Sequence, residues 1–302
     1  MPYLQILGVP HFYSIASAPG KAEETLVFIH GWLLSHHYWS PVCQGLSDRY
    51  TCISYDLRGF GASNQGVEAR HPSPHNALSP SPYSLAAYAD DLAALLAHLK
   101  IESAWLVGHS LGGSIALWAA QKLPEQIKGV ICVNAGGGIY LPQEFKRFRQ
   151  AGAQLVRWRF PWLQRIPLLD WGFARMMVAQ ALTRQWGKQR LQDFLVAHSE
   201  AALGSLLAST TEGEVHRLPR IVAGLQQPVY FVAGAQDQVM AARYVEHLAS
   251  FHRLFQTLLG NVTVLPNCGH MAMVEKPDQL VACIRHYLMG EPAGNAPTLT
   301  QG

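Results

Sequence analysis

Between residues 104 and 120 the chain changes character twice. Ala104-Trp-Leu-Val107 is an apolar run of the kind that forms a buried strand, and Ser114-Ile-Ala-Leu-Trp-Ala-Ala120 has helical spacing. Joining them is Gly108-His-Ser110-Leu-Gly112, followed by a further glycine, Gly113. A G-x-S-x-G pentapeptide between a strand and a helix makes a sharp, strained turn with the serine hydroxyl projecting from the top of a sheet. Glycines two positions either side of the serine let strand and helix approach closely enough to close that turn. A chain with this turn is committed to a strand–turn–helix unit, and hence to an α/β architecture.

A serine hydroxyl is a weak nucleophile at neutral pH and needs a base within hydrogen-bond reach, itself oriented by a third group. Both partners are present, in the chain order Ser, Asp, His that accompanies this turn. Pro228-Val-Tyr-Phe-Val-Ala233 reads as a buried strand and is followed by Gly234-Ala-Gln-Asp237; Asn261-Val-Thr-Val-Leu265 reads as another and is followed by Pro266-Asn-Cys-Gly-His270. Asp237 is expected to hold the imidazole of His270 in one tautomer, and His270 to exchange a proton with Ser110. Backbone N–H groups are expected to stabilise the oxyanion: that of Leu111, directly after the nucleophile, and that of Trp32, in the loop that follows the strand Thr25-Leu-Val-Phe-Ile29. His30, in the same loop, reads as a loop-fixing hydrogen-bonder.

Together these segments resemble the α/β-hydrolase superfamily. The matching motifs are Phe28-Ile-His-Gly-Trp32, Asp56-Leu-Arg-Gly-Phe-Gly-Ala-Ser63, Gly108-His-Ser-Leu-Gly-Gly113, Gly234-Ala-Gln-Asp237 and Asn267-Cys-Gly-His270, spread from about residue 3 to about 290. The resemblance implies a serine hydrolase of the lid-containing, esterase- or lipase-like kind, with no cofactor and no metal. Haloalkane dehalogenases and soluble epoxide hydrolases share the lid but use Asp as nucleophile, and Ser110 argues against both.

The remaining pattern is consistent with an open, doubly wound, mostly parallel sheet. Short apolar runs near 25–30, 50–56, 103–109, 128–134, 228–234 and 261–265 alternate with helical segments, and Ser84 is placed to cap the helix that runs to Leu99. Met1–Leu7 and Val9–Tyr13 read as two leading strands. Asp56 and Arg58 are expected to fix their own loop by hydrogen bonds. The connection from Asn64 to Pro82 is long and reads as a mobile surface loop; prolines between His71 and His75 prevent the helix that would make them a ligand pair. The expected organisation is a core of residues 1–137 and 226–290, a helical lid at 138–225, and a Pro/Gly-rich, disordered tail at 291–302.

That inserted stretch is apolar and basic at once. A lid over an ester needs an apolar inner wall, so Trp158, Phe160, Trp162, Trp171 and Phe173, together with His109 beside the nucleophile, are candidates to line the pocket. Lys146, Arg147, Arg149, Arg157, Arg159, Arg165, Arg175, Arg184, Lys188 and Arg190 face few acids. Three readings stay open: a solvated helix surface, an anionic substrate held by Arg, or peripheral contact with an anionic membrane surface.

Composition bounds the rest. A net charge of +3 over 302 residues, with 14% charged residues, does not suggest nucleic acid. The cysteines at 43, 52, 132, 268 and 283 form neither CxxC nor a metal-binding spacing. Their odd number, and a beginning without a basic secretory pattern, lead to the expectation of a reducing, cytoplasmic setting. Cys268 reads as a passive side chain beside the His270 loop. The function expected is hydrolysis of a carboxylic ester with an apolar acyl or alcohol part through an acyl-enzyme. Two alternatives use the same residues: C–C bond hydrolysis or lysis of an anionic diketone-type substrate, and thioester or acyl-transfer chemistry. A ligand-binding receptor on a hydrolase scaffold is a third. Acyl length and oligomeric state stay open.

Overall fold

The computed structural model describes residues 2–17, 20, 22–64, 81–137, 142–257 and 260–289, without the side chains of 142–145. The 64–82 loop, with His71 and His75, falls largely outside the described residues, as does the 291–302 tail.

Eight strands form one sheet: β1 (Tyr3–Ile6), β2 (Val9–Ala16), β3 (Thr25–Ile29), β4 (Thr51–Tyr55), β5 (Ala104–His109), β6 (Ile127–Val133), β7 (Val229–Gly234) and β8 (Val262–Leu265). Their order is β1-β2-β4-β3-β5-β6-β7-β8. β2 pairs antiparallel with both β1 and β4, and every pairing from β4 to β8 is parallel. This is the α/β-hydrolase architecture, and the apolar runs of the sequence fall on its strands.

Among the described residues eleven α-helices complete the layers. They are α1 (Ser40–Leu46), α2 (Leu85–His98), α3 (Leu111–Lys122), α4 (Pro142–Arg157), α5 (Leu169–Arg175), α6 (Arg184–Val196), α7 (Ser199–Ser209), α8 (Glu212–Gly224), α9 (Ala242–Ala249), α10 (Ala272–Glu275) and α11 (Pro277–Leu288). Ser84 caps α2 by accepting from the N–H of Ala87 at 3.2 Å.

Successive strand residues point to opposite faces, so the sheet divides two cores. Val27, Ile29, Leu106, Val130 and Phe231 pack with side chains from α2, α3, α8 and α9. Leu26, Phe28, Val107, Ile131 and Val232 pack on the other face with side chains from α1, α10 and α11. β5 and β7 are buried along their whole length, as parallel strands covered on both faces must be.

From β3 the chain moves to β4 on one side and then to β5 on the other. The crevice outside the carboxyl ends of β3 and β5 is therefore a topological switch point, where open α/β sheets place their ligands. Between β6 and β7 the chain leaves the sheet for α4 to α8, with no strand among the described residues.

Candidate active site

Ser110 sits between β5 and α3 with φ 51° and ψ −117°, a conformation costly for a residue with a side chain, of order 1–3 kcal/mol. Packing enforces it. A Cβ at Gly108 would lie 2.3 Å from the carbonyl oxygen of Gly112, and a Cβ at Gly112 would lie 2.3 Å from that of Ile29. Only glycines let β5, α3 and the end of β3 meet here. Leu111 begins α3, so its N–H has no acceptor inside the helix. Ser110, Leu111 and Trp32 all line one cavity of about 420 Å³.

His270 lines the same cavity. Its Nδ1 lies 2.7 Å from Oδ2 of Asp237. A carboxylate only accepts, so Nδ1 carries the proton and Nε2 keeps its lone pair. Asp237 is held by three further donors: its Oδ1 accepts from the N–H of Val239 at 2.8 Å and of Met240 at 2.9 Å, and its Oδ2 also accepts from Asn134 Nδ2 at 2.9 Å. Burial pushes this carboxyl's pKa up. The charge and hydrogen bond of His270 and the two backbone N–H groups outweigh that, so the net pKa lies below the ordinary value.

Asn134, at the end of β6, is a component the sequence reading did not single out. Its backbone is left-handed (φ 50°), and its amide also donates to the carbonyl of Gly269 at 3.1 Å. It thus ties the Asp237 loop to the His270 loop. The available signal was its place after Ile131-Cys-Val133, at a carboxyl strand end like those of Ser110 and Asp237. Glu275 was missed as well. Its carboxylate accepts from the N–H groups of Gly269, Met271 and Ala179, at 3.0, 2.9 and 2.7 Å, which clamps the His270 loop to the helical insertion.

The histidines flanking the site are neutral fixtures. His109 Nε2 donates to the carbonyl of His270 at 2.7 Å; burial, then the neighbouring His270, bring its pKa down to about 3. His30 accepts from the N–H of Leu57 at 2.9 Å and donates to the carbonyl of Gly31 at 2.8 Å, the loop-fixing arrangement read from the sequence. Burial lowers its pKa to about 4. Asp56 holds its loop by accepting from the His36 and Ala62 N–H groups, whereas Arg58 reaches across to Asp91 on α2. Cys268 is buried and its thiol pKa is driven far up by burial, which leaves it inert.

The cavity wall differs from the sequence expectation. His109 and Phe173 line it. Trp158, Phe160, Trp162 and Trp171 do not: they are exposed to solvent on the insertion. Helical periodicity marks which residues share a face, but not which face turns inward. The wall is instead built by Leu33, Phe148, Leu155, Met176, Phe194 and Leu206, among others. Trp32 contributes a tether too: its indole N–H donates to the carbonyl of Ala202 on α7 at 2.8 Å, fastening the β3 loop to the insertion.

Among the described residues no cluster of three or more His, Cys, Asp or Glu could hold a metal, and no helix is long and apolar enough to cross a membrane.

Comparison with known proteins agrees with this architecture. A family model for the alpha/beta hydrolase fold matches residues 24–277. The chain is 28% identical to 2-succinyl-6-hydroxy-2,4-cyclohexadiene-1-carboxylate synthase of Enterobacter sp., covering 87% of this chain and 91% of that protein. It is 24% identical to the protein PHYLLO, chloroplastic, of Arabidopsis thaliana, where the match covers 93% of this chain and only 16% of the much longer plant protein. Among solved structures, a thermophilic esterase from Thermogutta terrifontis superposes with a TM-score of 0.72 at 20% identity, covering 96% of this chain and 99% of the other.

Proposed function

The chain belongs to the α/β-hydrolase family, and from that membership we propose that it is a serine hydrolase of carboxylic esters with an apolar acyl or alcohol part. One observation supports this above the rest. A largely apolar cavity is lined together by a serine on a strained turn, a histidine whose Nδ1 is paired to a buried carboxylate, and the residues Trp32 and Leu111 at the ends of two strands.

The mechanism follows from these positions. Ser110 Oγ attacks the ester carbonyl while His270 Nε2 takes its proton. The negative charge that develops on the carbonyl oxygen is met by the N–H groups of Leu111 and Trp32. The C–O bond then breaks, and the alcohol leaves with the proton from His270. Water, giving a proton to His270, attacks the acyl-enzyme, and Ser110 recovers that proton as the acid departs. In this reading the segment 138–225 is the lid that keeps bulk water from the acyl-enzyme. The test is turnover of short p-nitrophenyl esters by the wild type and by Ser110→Ala: the wild type should turn over with loss of activity in the variant, and equal rates would refute the assignment.

A second reading, C–C bond hydrolysis or lysis of an anionic substrate, is favoured by Arg190. It is 3% exposed, stands in the cavity wall, and donates from Nη1 to the carbonyls of Phe173 and Met176. The carboxylate whose charge reaches it, that of Glu275, is already held by the N–H groups of Gly269, Met271 and Ala179. The relative from Enterobacter is a synthase whose name carries a carboxylate, in keeping with this reading. Arg190→Gln separates the two readings. If the guanidinium binds an anion, kcat/KM should fall by about 10- to 100-fold for an ester ending in a carboxylate and stay unchanged for a neutral one.

A further inference from the structure

From Arg157 to Met177 the insertion exposes most of its large apolar side chains. Trp158 is 69% exposed, Leu168 64% and Trp162 55%, and Phe160, Ile166, Trp171, Met176 and Met177 are also exposed. Soluble surfaces carry scattered apolar residues, but eight large exposed ones within a single segment of this length point to an interaction site. The aromatics are ordered among themselves: the rings of Phe160 and Trp162 stack at 5.9 Å, and the guanidinium of Arg175 lies 5.2 Å from the centre of the Trp171 ring.

Charge selects the partner. Arg157, Arg165 and Arg175 are exposed within the same run. The one acid between residues 145 and 192 is Asp170, which is buried and already paired to Arg184 at 2.7 Å. A second copy of this chain meeting the patch about a twofold axis would set arginine against arginine with no acid to answer it. A bilayer with anionic headgroups meets both demands, because indole and phenyl rings settle at the boundary of headgroup and acyl chain while arginines reach the phosphates. The patch also runs into the cavity: Leu155, Met176 and Met177 are exposed and at the same time line its wall.

We propose that the segment 157–177 docks this protein on an anionic phospholipid surface, with the mouth of the Ser110 cavity turned towards the lipid. The experiment is co-sedimentation of the full chain with vesicles of phosphatidylcholine alone and of phosphatidylcholine mixed with phosphatidylglycerol, at low and at high salt. Binding to the mixed vesicles, weakened by salt, is expected. Arg157→Gln with Arg165→Gln and Arg175→Gln should lower the partition coefficient on the order of 100-fold, from the contribution of each cation near an anionic surface. Trp158→Ser with Phe160→Ser and Trp162→Ser should lower it by a similar factor or more. Because these side chains are exposed, unchanged circular dichroism and melting should accompany both losses. The reading is overturned if the wild type ignores anionic vesicles at low salt, if either triple variant binds as the wild type does, or if the apolar substitutions instead dissolve a dimer seen by sedimentation velocity. Sedimentation needs no turnover, so its failure is distinguishable from failure of the ester assay.

Discussion

Replacing Asp237 with Asn changes one atom in the site and should nearly abolish turnover. The carboxylate accepts four hydrogen bonds: two backbone N–H groups reach Oδ1, while Asn134 Nδ2 and His270 Nδ1 reach Oδ2. The backbone donors of Val239 and Met240 cannot turn away, so the amide oxygen of the new side chain must face them. Its NH₂ then points at Asn134 and His270. The imidazole can meet a donor only by presenting a bare Nδ1, which moves its proton to Nε2, the nitrogen not paired to residue 237. A base in that tautomer cannot take the Ser110 proton. The expected loss is about 10⁴ in kcat, the size associated with a wrong tautomer in a triad, or about 5 kcal/mol of barrier. Stability should fall too, by roughly 2–4 kcal/mol, since a charge-assisted bond is lost and the Asn134 amide faces a second donor. Steady-state kinetics on a short p-nitrophenyl ester, with urea unfolding of the same preparation, reads both effects. Asp237→Ala serves as the control, for it removes the competing donor and leaves the tautomer free. An Asn variant keeping more than about a tenth of wild-type kcat would refute the tautomer argument.

Three further outcomes follow from the packing and the ionisation of the site. Gly112→Ala should cost roughly 3 kcal/mol or more, because its Cβ would lie 2.3 Å from the Ile29 carbonyl oxygen; Gly172→Ala in α5, with nothing within 4 Å, should instead be neutral or gain up to about 1 kcal/mol of helix propensity, and urea midpoints compare the two. Asn134→Ala removes the link between the Asp237 and Gly269 loops and should destabilise by about 1–3 kcal/mol with a fall in kcat larger than any change in KM, measured by denaturation and by kinetics. Asp193, buried beside Ser35 and Gln189, has its pKa raised by burial to about 6 from 3.8. A raised carboxyl pKa means that the folded state prefers the proton, so the stabilisation is complete below the unfolded value and is lost as pH rises through about 6. The wild type should therefore lose up to about 3 kcal/mol relative to Asp193→Asn between pH 4 and pH 8, followed by urea unfolding across that range; parallel pH profiles would contradict it.

Much of this protein could be read along the chain because its decisive features are local. The strand patterns at β3 to β8, the Ser84 cap and the Gly108–Gly112 turn each depend on neighbours within a few residues. Parallel strands buried on both faces announce themselves as apolar runs, and a strained serine turn needs its glycines in sequence. Ser110, Asp237 and His270 were singled out as candidates the same way, each just beyond a strand's carboxyl end. What joins those ends is not local. Asn134 bonds to an Asp237 carboxylate 103 positions further on, and the Trp32 indole to a carbonyl 170 positions away. Neither contact leaves a periodic trace. The insertion shows the limit most clearly. Sequence marked out an aromatic and basic segment between β6 and β7. Tertiary packing alone decided that Phe173 turns into the cavity while Trp158, Phe160, Trp162 and Trp171 turn to solvent, since which face is inward depends on where the insertion meets the core.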